Sequence, residues 1–166
     1  ISASLLLFTI LFYVFVYTIW LKRKTPQNIV IGGAAGAFPP VIGWTIATGS
    51  LSIEPLAFFL IIFFWTPSHF WALSLYKSDD YKKANIPMLP LTNGVESTKI
   101  NIFIYSLLML PVIIFPYWIN FVGLVFLIPS LMLTFYYNFL CYELYNFKKN
   151  KFNPKKAKSI FGYSIL

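Results

Sequence analysis

Long apolar runs, each close to the thickness of a bilayer, alternate along this chain with short polar segments. They cover residues 1–21, 29–49 and 55–76. A tract without any charge, 100–142, has room for two more at about 100–117 and 121–142. Roughly 20 apolar residues in a helix cross ~30 Å of hydrocarbon. Helices are needed there because backbone polar groups find no water inside lipid. Residues 159–166 read as the opening of a further span. The pattern predicts an all-α, polytopic membrane helical bundle with five full segments and a sixth cut short.

The distribution of charge gives that bundle an orientation. All thirteen basic residues fall in three clusters: Lys22, Arg23 and Lys24; Lys77, Lys82, Lys83 and Lys99; and Lys148, Lys149, Lys151, Lys155, Lys156 and Lys158. Two spans separate the first cluster from the second, and two more separate the second from the third. All three therefore share one face, while the connections at 50–54 and 118–120 carry no base. This is the positive-inside pattern. With 58% hydrophobic and 11% charged residues, the chain departs from soluble domains, which carry about 25% charge. The net charge of +8 sits in loops beside spans, so anionic lipid is the expected partner and nucleic acid is not. The single cysteine, Cys141, lies inside a span, which excludes an intrachain disulfide and suggests a passive apolar role. The chain begins without Met inside an apolar run. It is expected to be one membrane domain, 1–166, incomplete at both ends.

Polar residues inside the spans mark where an interior should lie. Thr9, Tyr13 and Tyr17 recur every four positions and form one helical stripe, facing other helices or a cavity. Gly32 and Gly36 in Gly32-Gly33-Ala34-Ala35-Gly36-Ala37 have the G-x-x-x-G spacing that permits close backbone approach. Pro39-Pro40 follows at mid-membrane depth and must kink or break its helix. His69, the only histidine, lies deep in the third span, where it needs a partner or a cavity. If that helix continues, His69, Tyr76 and Asp80 fall within about 40° of one another, with His69 ~16 Å below Asp80.

The segment 77–99 holds the chain's only aspartates, Asp79 and Asp80, among lysines. Carboxylates beside bases at a membrane surface suit a magnesium-bridged phosphate, in which carboxylates hold the metal and lysines neutralise remaining charge. From charge alone, surface ion pairing with Lys77, Lys82 and Lys83 is the simpler account of the same residues.

Several longer motifs then resemble one family in order. The run from Leu21 to Ala37 contains Lys22-Arg23-Lys24-Thr25-Pro26-Gln27-Asn28 and the glycine stretch. Pro39-Pro40, Gly43-Trp44 and Thr48-Gly49 follow it. Trp65-Thr66-Pro67-Ser68-His69-Phe70-Trp71-Ala72-Leu73, Asp80-Tyr81, Ala84 and Pro87-Met88-Leu89-Pro90 come next. Together they resemble the protohaem IX farnesyltransferases, or haem O synthases, of the UbiA superfamily of intramembrane prenyltransferases. The likeness is dense from Tyr17 to Gly94 and rests on hydropathy beyond. It implies a nine-helix bundle around a cavity, of which these segments would be the fourth to ninth helices, in the C-terminal part. It also implies farnesyl transfer from farnesyl diphosphate to a vinyl group of haem B, giving haem O, with haem A synthase downstream. The implied setting is the bacterial inner membrane, with the mitochondrial inner membrane as the alternative. On this resemblance Asp80, assisted by Asp79, would hold Mg2+ on the diphosphate. Lys22, Arg23 and Lys77 would meet diphosphate oxygens, and His69 would meet the haem. The sequence departs from the superfamily's D-x-x-x-D, since Lys83 follows four after Asp79 and Ala84 four after Asp80. An upstream aspartate motif has no candidate here. A relative acting on a quinone precursor or other aromatic acceptor, and a non-enzymatic transport or assembly module, are the alternative functions.

Overall fold

The computed structural model describes residues 1–147 and 153–165. Its described residues are helical, as the apolar runs predict. Five helices are long and apolar enough to cross a membrane: Ser2–Leu21, Asn28–Thr48, Glu54–Tyr76, Gly94–Trp118 and Leu124–Tyr145.

The first begins as α1 (Ser2–Leu11) and continues as a π-helix over Phe12–Leu21, ending on a bond from the Lys22 amide to the Tyr17 carbonyl. The second is broken at Phe38 into α2 (Asn28–Ala37) and α3 (Pro39–Thr48). Pro39 and Pro40 open α3, where the missing N–H groups cost least. They also withdraw the donors that the Ala35 and Gly36 carbonyls would otherwise accept, and the Phe38 amide takes the Ala35 carbonyl at 3.4 Å. Pro39 is exposed.

α4 (Glu54–Tyr76) is the central helix, packed by α2, α3, α7 (Gly94–Trp118) and α9 (Pro154–Tyr163). α8 (Leu124–Tyr145) lies against α7 and α9. The core joins Trp71, Ala72 and Leu75 of α4 to Ile102, Cys141, Leu144 and Ile160. Cys141 is free and buried within it, in keeping with an apolar role. Lipid tails offer no hydrophobic drive between helices, so close packing and a few polar bridges hold the bundle. Tyr137 Oη donates to Ser68 Oγ at 3.0 Å, and Ser106 Oγ donates to Asn138 Oδ1 at 3.1 Å. Such bridges contribute about 0.6 kcal/mol each, so packing carries the stability and the bridges fix register.

Chain reversal brings the basic segments to one end. Tyr17 lies within electrostatic range of Tyr81, and Lys99 Nζ donates to the Phe147 carbonyl at 3.2 Å, linking the three clusters' segments. At the other end Trp44 and Phe58 meet Phe121 edge-on, at 5.7 Å and 5.4 Å, and Phe58 meets Phe126 edge-on at 6.1 Å.

Three expectations change. Lys99 is not a loop cation: α7 begins at Gly94, and Lys99 is 0% exposed, its ammonium 2.8 Å from Glu96. A carboxylate one turn earlier is what lets the lysine enter the helix. The last helix starts at Pro154, before residue 159, because Asn153 caps it by accepting from the Lys155 amide. Lys155, Lys156 and Lys158 therefore lie on α9, while Lys148, Lys149, Lys151 and Leu166 fall outside the described residues. Finally, α4 stops at Tyr76. Lys77 leaves helical geometry, and Asp79 and Asp80 belong to a separate short helix, α5 (Ser78–Lys83).

Candidate functional site

The break at Lys77 ends the continuous face drawn from His69 through Tyr76 to Asp80. His69 lies seven residues, about 10 Å, from the end of α4. Asp80 sits on α5, outside the spans. That short helix is pinned. The Ile86 amide donates back to the Tyr81 carbonyl at 3.1 Å, and Asn85 adopts a left-handed turn (φ 53). Met88 and Leu89 then plunge into the core, Leu89 opening the short α6 (Leu89–Thr92).

Asp80 pairs with Lys77 at 3.4 Å, with side chains 64% and 53% exposed. The pairing that charge alone suggested is therefore present, and at this exposure it contributes about 0–1 kcal/mol. Asp79 and Arg23 are exposed and form no ion pair among the described residues. Lys22 rests over the Tyr17 ring, 5.8 Å from its centroid. Tyr81 is half-buried next to Asp80. Burial pushes its phenol above the usual range, with Tyr76 and then the Asp80 carboxylate adding to the shift. A protonated phenol, a lysine and the Asp80 carboxylate thus neighbour one another, with the phenol in electrostatic range of Tyr17.

Asn28, at the start of α2, stood in the basic motif without an assigned role. It is 1% exposed, and its Nδ2 donates to the Lys22 carbonyl at 3.1 Å, tying the basic loop to α2. Its Oδ1 is buried without a partner among the described residues. The signal in the sequence was its place as the last residue of the basic motif 22–28.

From this region a hollow of about 280 Å³ runs into the bundle, lined by Tyr13, Tyr17, Gly32, Gly33, Gly36, Trp65, Thr66 and Phe70. That is near the lower limit of small-molecule sites, about 300 Å³. Two glycines are tied to its walls. A methyl at Gly32 would collide with the Tyr17 ring, and one at Gly33 would lie 2.9 Å from Thr66 Cγ2. At Gly36 a methyl would meet nothing within 4 Å. A second hollow of about 260 Å³, between Thr9, Ile10, Val14 and Ala35, shares Tyr13 and Gly36 with the first. The expected stripe of Thr9, Tyr13 and Tyr17 thus lines hollows, although Tyr13 is 49% exposed.

His69 is among the lining residues of neither hollow. It is stacked between Trp65 (4.3 Å) and Phe161 (4.6 Å), and its Nδ1 lies 2.6 Å from Ser164 Oγ. Trp65, one turn earlier, donates to the Ser164 carbonyl at 3.0 Å. Both residues hold the end of α9 against α4. Behind Trp65 lies a smaller hollow of about 110 Å³, bounded by Thr134, Tyr137, Tyr163 and Ser164.

Among the described residues no three carboxylate, histidine or cysteine side chains converge on a metal position. Asp79 and Asp80 still suit Mg2+ by donor chemistry, since that ion takes one or two carboxylates together with substrate phosphates and water.

The chain is 86% identical over 166 residues to the protohaem IX farnesyltransferase of Pelagibacter ubique, covering all of this chain and 55% of that one. It is 52% identical to the protein of the same name from Parvibaculum lavamentivorans, again over all of this chain and 52% of the relative. The corresponding protein of Rhodopseudomonas palustris strain BisB18 is 47% identical over 99% of this chain and 53% of its own length. The chain thus spans about half the length of the curated relatives it matches. No solved structure matches it. These relatives are bacterial, and with the five apolar helices they make this a multi-pass protein of a bacterial inner membrane. The UbiA prenyltransferase family model matches residues 1–165, and the chain belongs to that family.

Proposed function

We propose that this chain is part of a protohaem IX farnesyltransferase, which moves the farnesyl group of farnesyl diphosphate onto a vinyl carbon of haem B. The observation that carries the reading is 86% identity, over the whole chain, to a relative of that name. The arrangement of polar and apolar surfaces supports it. Ionisable groups gather at the membrane-surface end of an aromatic hollow, which suits an amphiphile with an anionic head and an apolar tail.

In this reading the C–O bond of the allylic diphosphate breaks and the pair of electrons leaves with diphosphate. The vinyl group attacks the resulting cation, and water adds to the cationic carbon this leaves, losing a proton to the departed diphosphate or bulk water, to give the hydroxyethylfarnesyl side chain. Bound Mg2+ would supply charge for the departing diphosphate. Asp80 is the carboxylate proposed to hold it, with Asp79 assisting. Lys22, Arg23 and Lys77 meet the remaining diphosphate oxygens, an electrostatic contribution of the kind that dominates such reactions. Lys77 already touches Asp80, so it is placed to exchange a carboxylate for a phosphate oxygen. Tyr17, Trp65 and Phe70 wall the hollow and exclude water from the cation. His69 is the acceptor-side residue. Because Nδ1 is engaged by Ser164, Nε2 would face a haem iron or propionate.

The test is incubation of the full-length protein in membranes with farnesyl diphosphate and haem B, followed by mass spectrometry of the haems. Haem O is the expected product. Failure to form it, with prenylation of an added 4-hydroxybenzoate instead, would move the protein to the quinone-type members of its family.

A further inference from the structure

We infer that Gly36 sets the length of prenyl chain the site accepts. The inference rests on the proposed function and carries it to one residue.

The 280 Å³ and 260 Å³ hollows meet at Tyr13 and Gly36, so they form one groove along the face of α2. Its upper end, at Tyr17, lies within electrostatic range of Tyr81, which in turn lies next to Asp80 of the Asp80–Lys77 pair. An anionic head held there finds an apolar path for its tail past Gly32 and down to Gly36. Gly36 lies eight residues, about 12 Å, below the start of α2 by helix rise. Beyond it the groove continues between Thr9, Val14 and Ala35. The far end of a tail that has filled the first hollow must pass Gly36 to enter the second.

The glycines differ in a way that singles this one out. Gly32 and Gly33 are required by packing, because a methyl at either would strike Tyr17 or Thr66. Packing makes no such demand at Gly36, where an added methyl would project into empty space. The absence of a side chain there keeps the groove open instead. A larger residue would close the lower part and leave the upper part, with its ionisable end, intact.

The experiment uses the full-length protein in membranes with haem B and equal concentrations of geranyl and farnesyl diphosphate, which differ by one isoprene unit. Products are resolved by mass. Gly36→Leu should move the product ratio toward the geranyl adduct by tenfold or more, and Gly36→Ala by two- to threefold in the same direction. Gly43→Leu adds the same bulk at another glycine with open space around it, and should keep the wild-type ratio. An unchanged ratio in Gly36→Leu, or an equal shift in Gly43→Leu, overturns the inference. Should Gly36→Leu fail to accumulate, Gly36→Ala decides, and an unchanged ratio there is equally fatal. Wild-type protein that transfers neither chain to haem B overturns the proposed function and this inference with it. Wild-type transfer with an insensitive Gly36 overturns the inference alone.

Discussion

Gly32, Gly33 and Gly36 sit within two turns of α2, yet the first two face different neighbours and the third faces open space. Gly32→Ala forces the Tyr17 ring aside and Gly33→Ala presses on Thr66, a β-branched residue fixed on α4. Overpacking of this kind costs about 1–3 kcal/mol. Both variants should therefore lower the detergent-solubilised melting temperature, while Gly36→Ala leaves it within a degree or two, as a thermal scan by size exclusion would report. The G-x-x-x-G spacing made close approach legible in the sequence. Which glycine meets which partner depended on where the preceding π-helix places Tyr17, and no local pattern encodes that. Asp80 is the reverse case. Its exposed pair with Lys77 stabilises the fold by little, so Asp80→Asn should fold normally. Turnover should still fall ~100-fold or more, the scale of losing one electrostatic contact at a reacting centre, with partial recovery as magnesium is raised. Asp79→Asn should be milder. Full activity of Asp80→Asn at limiting magnesium would return the pair to the role of surface charge.

Helix boundaries shifted where side chains satisfied one another. Glu96 and Lys99 carry α7 nearly two turns past the end of its apolar run, and the buried ammonium reaches the Phe147 carbonyl at the end of α8. Hydropathy treats every charge as a loop, so this extension was invisible to it. Lys99→Ala should cost about 1.5–3 kcal/mol, the range for hydrogen bonds to charged groups, and appear as a lower melting temperature without altered product selectivity. The short helices α5 and α6 also escaped notice, because neither is long enough to show a period. His69 was legible as an intramembrane histidine needing a partner. Its partner, Ser164, lies 95 positions away and could not be guessed. His69→Ala should weaken haem handling more than farnesyl diphosphate binding, measured by titrating each substrate separately. Equal loss of both would reduce the residue to a clasp for α9.

Across the whole molecule, the alternation of apolar runs and basic clusters was the most legible property. In lipid each crossing must be a continuous hydrogen-bonded helix, so five runs became five helices with ends displaced by a few residues. The basic segments that the chain reversals place together should face the cytoplasm. A cysteine introduced at Lys82 or Lys155 should react with an impermeant maleimide from that side only, and one at Leu51 from the other. Cys141 is buried in the core, so folded wild-type protein should give little background. Lys82 and Leu51 labelled from the same side would mean that the crossings had been miscounted.

Trp65 forms part of the wall of both the 280 Å³ and the 110 Å³ hollows, with its indole nitrogen held by the Ser164 carbonyl. It is therefore a built-in optical probe of occupancy. A prenyl diphosphate analogue entering the first hollow would replace water against the indole and shift its emission to the blue. The signal can be isolated by subtracting the spectrum of Trp65→Phe, and it would follow substrate entry in real time without a covalent label.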